Sequence, residues 1–213
     1  MEHGGNAIKE LISMCMFDPE PSQEAAASAL AVLCYHEEAR ARIIEEDGIR
    51  AIIALITGAA KEADTKREAC FAISNMCSTD PEIRKKVAAG GAVHPLIELV
   101  RSGGTELCRQ HACGALTQLG ADDDVRAKLW EAGALDPIID LHMDVMVGTK
   151  ARNWADVALA MMCTKKVPRV APGAPPVRGA PPARAEALCR WTRGARFFIP
   201  ASRTRRSARR LNP

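Results

Sequence analysis

The sequence predicts an all-α solenoid of about four repeats, the first incomplete, followed by a disordered basic tail. Two observations carry the solenoid. The motif Ala-x-x-Ala-(Leu/Ile)-x-x-(Leu/Met) occurs at Ala26/Ala29/Leu30/Leu33, Ala69/Ala72/Ile73/Met76, Ala112/Ala115/Leu116/Leu119 and Ala155/Ala158/Leu159/Met162, always at a step of 43 residues. Its positions i, i+3, i+4 and i+7 line one stripe of a helix. A third observation carries the tail: residues 165–213 hold 13 Lys/Arg, one acid (Glu186) and eight of the 13 prolines.

Taken in chain order, the elements fall into three families. A helix around Ile8-Lys9-Glu10-Leu11-Ile12 precedes the first Ala/Leu copy, and its counterparts are Ile49-Arg50-Ala51-Ile52-Ile53, Val93-His94-Pro95-Leu96-Ile97 and Leu135-Asp136-Pro137-Ile138-Ile139. Each Ala/Leu copy is then the buried face of the following helix, small residues early in the stripe allowing neighbouring helices to approach closely. A third, shorter family opens at Ala39-Arg40-x-x-Ile43, Ile83-Arg84-x-x-Val87 and Val125-Arg126-x-x-Leu129. Asp80-Pro81 and the Asp122–Asp124 run supply capping carboxylates at two of these starts. Gly58, Gly90-Gly91, Gly103-Gly104, Gly133 and Gly148 stand where periodic segments stop, as expected for left-handed residues after a helix end. No alternating strand or Asn-Gly hairpin competes.

With three helices per unit, and with Gly90-Gly91-Ala92-Val93-His94-Pro95-Leu96-Ile97-Glu98-Leu99-Val100-Arg101-Ser102-Gly103 beside the Ala/Leu motif, the chain resembles the armadillo repeat family over about residues 4–164. That resemblance implies a right-handed superhelix of stacked three-helix units. The units are expected at 4–35, 36–78, 79–121 and 122–164, an armadillo domain of 1–164 and a tail of 165–213. The chain opens at the second helix of a unit and stops after a third helix, and neither end reads as a polar cap. Self-association through the ends, or membership of a longer array, is the expectation.

Composition bounds the function. Of 213 residues 47% are apolar and 4% aromatic, which suits an Ala/Leu/Ile helical core. Neither a secretory leader nor a run of about 18 apolar residues is present, so no membrane span is expected. Cys34, Cys77 and Cys163 share one repeat position and read as small core residues, reduced in a cytoplasmic or nuclear setting. Cys108 and His111 share a helix face but lack two further metal ligands, so no metal or cofactor is expected. No nucleophile elbow, phosphate loop, zincin helix or dinucleotide fingerprint occurs, and the reading is of a protein that is not an enzyme. The formal charge of +3 conceals a split: residues 1–164 hold 16 basic and 25 acidic side chains, net −9, and the tail is net +12.

In the family resembled, third helices line the concave groove. The positions facing away from the core stripe are here Ala25/Ser28/Val32, Glu68/Phe71/Asn75, His111/Gly114/Gln118 and Trp154/Val157/Met161. Four helices about 9–10 Å apart span roughly 30 Å, enough for eight or nine residues of extended peptide at about 3.3 Å each. The candidate partner-binding residues are Glu68, Phe71, Asn75, His111, Gln118 and Trp154, and the negative body calls for a basic partner segment or helix. The importin-alpha branch is known for a Trp/Asn ladder in this groove. Asn75 alone matches the Asn position, Gln118 is a longer amide, Val32 and Met161 cannot hydrogen-bond, and Ser28, Phe71, Gly114 and Val157 stand at the Trp position. An import adaptor is therefore the alternative, with a protein-binding scaffold ahead of it. Arg40, Arg84 and Arg126 are expected to pair with nearby carboxylates. The tail has three readings: a polyanion or nucleic-acid contact through Arg203, Arg205, Arg206, Arg209 and Arg210, a nuclear address, or the product of a gene-model error, which the abrupt change of composition after Lys166 would also produce.

Overall fold

The computed structural model describes residues 3–58, 62–144 and 146–164, with residues 3–6 and 164 described by backbone alone. The tail from 165 onward, with its expected disorder and the five arginines named as candidate polyanion contacts, lies outside the described residues. Eleven helices and no strands make up the described chain: α1 (His3–Phe17), α2 (Glu20–Leu33), α3 (Glu37–Glu45), α4 (Gly48–Thr57), α5 (Ala63–Met76), α6 (Pro81–Ala89), α7 (Val93–Ser102), α8 (Glu106–Leu119), α9 (Asp123–Glu131), α10 (Leu135–Met143) and α11 (Thr149–Thr164). None is long and apolar enough to cross a membrane.

Two layers result. The Ala/Leu helices α2, α5, α8 and α11 pack side by side, and α1, α4, α7 and α10 form a second row, each lying on its own Ala/Leu partner. The short helices α3, α6 and α9 carry the chain from one pair to the next. The stripe residues explain the close packing. All four are buried in α5, α8 and α11, as with Ala69, Ala72, Ile73 and Met76. In α2, Ala26 and Leu30 are buried but Ala29 and Leu33 are only half-buried, because among the described residues no Ala/Leu helix lies on the side of α2 that they face. Periodicity assigned the stripe; the neighbour decides how much of it leaves water.

Helix starts follow the sequence. Asp80 Oδ1 accepts the Glu82 N–H at 2.8 Å, and Asp122 Oδ1 accepts those of Asp124 and Val125 at 3.0 Å. Thr105 does the same for Cys108. The glycine expectation is corrected in part. Gly91, Gly104 and Gly133 have φ of 91°, 73° and 76°, whereas Gly90 and Gly103 are not left-handed and Gly58 is extended. One left-handed residue per turn suffices to reverse the chain after a helix end. Asp47, with φ 63°, occupies in its unit the place that Gly91 and Gly133 occupy in theirs.

The repeated arginines are a second correction. Rather than pairing only with carboxylates, they donate to carbonyls at the end of the preceding Ala/Leu helix. Arg40 Nη1 reaches Cys34 O at 3.0 Å, Arg84 Nε reaches Cys77 O at 2.8 Å and Arg126 Nη1 reaches Gly120 O at 3.2 Å. Residues 34, 77 and 120 are the same repeat position. The last carbonyls of a helix have no intrahelical donor and carry the negative end of its dipole, so a guanidinium there serves both needs. Only Arg126 adds a carboxylate, Asp123 Oδ1 at 2.7 Å.

Cys15, Cys34, Cys70, Cys77, Cys108 and Cys113 are free and buried. Burial pushes the Cys34 and Cys77 thiols up to about 12, so they remain protonated packing groups. Cys163, grouped with them by repeat position, is instead disulfide-bonded. Among the described residues no arginine-bearing helix follows Cys163, as α3 and α6 follow Cys34 and Cys77.

Candidate protein-binding groove

The groove face is built from the sides of α2, α5, α8 and α11 that turn away from the second row. The core stripe sets their rotation, so residues one position off the stripe are presented together. Glu68 is half-buried, and its Oε1 lies 2.8 Å from Arg67 Nη2. The same guanidinium stands 3.6 Å from Asp64 Oδ1 and 3.9 Å from Glu24 Oε1. One cation thus serves three carboxylates and bridges α5 to α2, leaving this stretch net negative.

Phe71 is half-buried between two rings. His111 meets it edge-on at a centroid distance of 5.2 Å, and Tyr35 from the other side at 6.2 Å. Burial holds the His111 imidazole below its ordinary value, against the opposing pull of Glu68, so it is neutral at pH 7. Trp154 reaches back over α8: a Cβ added at Gly114 would stand 3.7 Å from the indole Cε3. Trp154 is half-buried, its indole lying against the preceding unit. Among the described residues no hydrogen-bond partner is found for the side chains of His111, Gln118 and Trp154, which are all half-buried.

Asn75 behaves differently. It is 7% exposed, and its Nδ2 donates to Ala31 O at 2.9 Å. That carbonyl lies in the last turn of α2, where the Tyr35 N–H bonds Val32 O at 3.1 Å instead. One of the two Asn75 amide N–H groups is thus bonded inside the fold, at the position that carries the Asn of the importin ladder.

Sequence reasoning missed Tyr35, which is 62% exposed and joined edge-on to Phe71. It sits just beyond the end of α2, outside any helical stripe, so periodicity carried no signal for it. His142 Nδ1 lies 2.7 Å from Asp156 Oδ1. Among the described residues no group of three or more His, Cys, Asp or Glu is placed to hold a metal ion. A depression of about 420 Å³ between α1, α2 and the end of α4, lined by Cys15, Asp18, Glu20 and Gln23, shares no residue with the groove face.

No family model matches the sequence, and no curated protein does. Solved structures match in fold. An engineered protein is 25% identical with a TM-score of 0.68, covering 73% of this chain and 63% of its own. A designed armadillo repeat protein in complex with the peptide (KR)4 is 23% identical, TM-score 0.67, with 74% and 64% covered. A further designed armadillo repeat protein is 22% identical, TM-score 0.70, with 88% and 81% covered. The chain thus spans less than two thirds of the length of the first two. With these neighbours and the helix order described above, the chain has the armadillo repeat fold, an α-solenoid.

Proposed function

We propose that this protein is a non-enzymatic scaffold that binds a basic segment of a partner protein along the face carrying Glu68, Phe71, His111, Gln118 and Trp154. The observation that carries the reading is the set of polar groups on α8 and α11 with no hydrogen-bond partner among the described residues, beside the Phe71 ring and a carboxylate cluster with one guanidinium. Such a face offers hydrogen bonds to a peptide backbone, ring surface to Lys and Arg stems, and negative potential to their charges. The net charge of −9 over residues 1–164 acts in the same direction. The peptide in the complexed designed neighbour is likewise basic. Asn75, with one amide N–H bonded to Ala31 O, is assigned to holding α2 against α5.

The test is fluorescence anisotropy with labelled (KR)4 and an acidic (DE)4 control at about 0.1 M salt. Binding of (KR)4 alone is expected, weakened at least fivefold by Trp154→Ala or Glu68→Gln. Equal binding of both peptides, or indifference to both substitutions, refutes the proposal.

A further inference from the structure

The groove changes character along its length. Toward α11 it carries the polar groups of His111, Gln118 and Trp154, none hydrogen-bonded to a described residue, with one exposed aliphatic, Val157. Toward α2 two exposed apolar side chains stand together beside a ring. Val32 and Tyr35 are 55% and 62% exposed, stand three residues apart at the end of α2, and meet the half-buried Phe71 through the Tyr35 ring. The amide at this end, Asn75, is bonded to Ala31. Nearer the N-terminal ends of the same two helices stand Glu24, Asp64 and Glu68 around Arg67.

An extended peptide crossing α2 and α5 turns alternate side chains to opposite sides. One side meets carboxylates and the other meets Val32, Tyr35 and Phe71. Resting on the groove reading above, we infer that the occupant carries a large apolar side chain next to a cationic one at the end lying over α2 and α5. The partner segment is thus basic along its length, with its apolar anchor at the terminus where Val32 and Tyr35 stand across from the carboxylates. An exposed aliphatic and an exposed aromatic side by side offer about half-burial to such an anchor, and that burial outweighs one exposed charge contact.

The experiment uses the full chain and three labelled peptides: (KR)4, (KL)(KR)3 and (KR)3(KL). One of the two leucine peptides is expected to bind at least fivefold more tightly than (KR)4 despite its lost charge, and the other no more tightly. Tyr35→Ala should bring that affinity ratio, measured on the variant itself, down to about one. If (KR)4 binds but neither leucine peptide gains, or both gain equally, the anchor is refuted and the groove reading stands. A ratio that survives Tyr35→Ala also refutes it. If none of the three peptides binds, both readings fall.

Discussion

Replacing Asn75 with Ala separates a groove amide from a framework amide. The Nδ2 of Asn75 is the donor that reaches Ala31 O, since the Tyr35 N–H, four residues on from Ala31, goes to Val32 O. Ala31 has no exposed surface, so truncation leaves a buried carbonyl without a partner, at a cost of about 1–3 kcal/mol. Taking about 2 kcal/mol, a chain of this size loses about 4–8 °C in Tm. Asn75→Asp keeps the shape but aims a second acceptor at the carbonyl, and it should cost at least as much. Thermal unfolding followed by circular dichroism reads the loss, and anisotropy with (KR)4 reads binding at a temperature where both variants are folded. The expected pattern is a lowered Tm with an affinity changed less than threefold. An unmoved Tm with binding abolished would refute the reasoning and return Asn75 to the groove.

Three other outcomes are expected. Gly114→Ala should raise stability by about 0.5–1 kcal/mol in urea unfolding, because the added methyl would lie at an ordinary 3.7 Å from Trp154 and glycine is a poor helix-interior residue. Arg126→Met should lower stability by about 2 kcal/mol on the same measurement. The side chain is 4% exposed and its loss strands the buried Gly120 carbonyl. His111 is held below its unfolded value near 6.5, so the unfolded chain binds the proton more readily. Its contribution to stability is therefore full above that pH and lost as pH falls through the folded value. His111→Gln should flatten the decline in urea midpoint between pH 7 and pH 5, and an unchanged slope would count against the burial argument.

Much of the fold was legible because burial in a repeat stack is periodic. Ala72, Ala115 and Ala158 recur because each meets a neighbouring helix in the same way, and a 43-residue step records that contact without coordinates. The capping carboxylates Asp80 and Asp122 were equally local, since a helix start is set by three or four consecutive residues. The groove was only partly legible. Helical phase placed Glu68, Phe71, His111 and Trp154 on one side, but phase says nothing of what a side chain bonds across a unit boundary. The bond of Asn75 to Ala31 O and those of Arg40, Arg84 and Arg126 to the carbonyls at residues 34, 77 and 120 were therefore out of its reach.

The sequence by itself determined which residues face the core, how many helices each unit holds and where most of them begin, because these depend on period and on neighbours in the chain. Tertiary structure decided the rest. Asn75 reaches Ala31 across 44 positions, Trp154 lies over Gly114, and Tyr35 meets Phe71 from outside any helix. Each pairing depends on the separation and tilt of adjacent units, which come from packing summed over the stack and leave no mark at any single position.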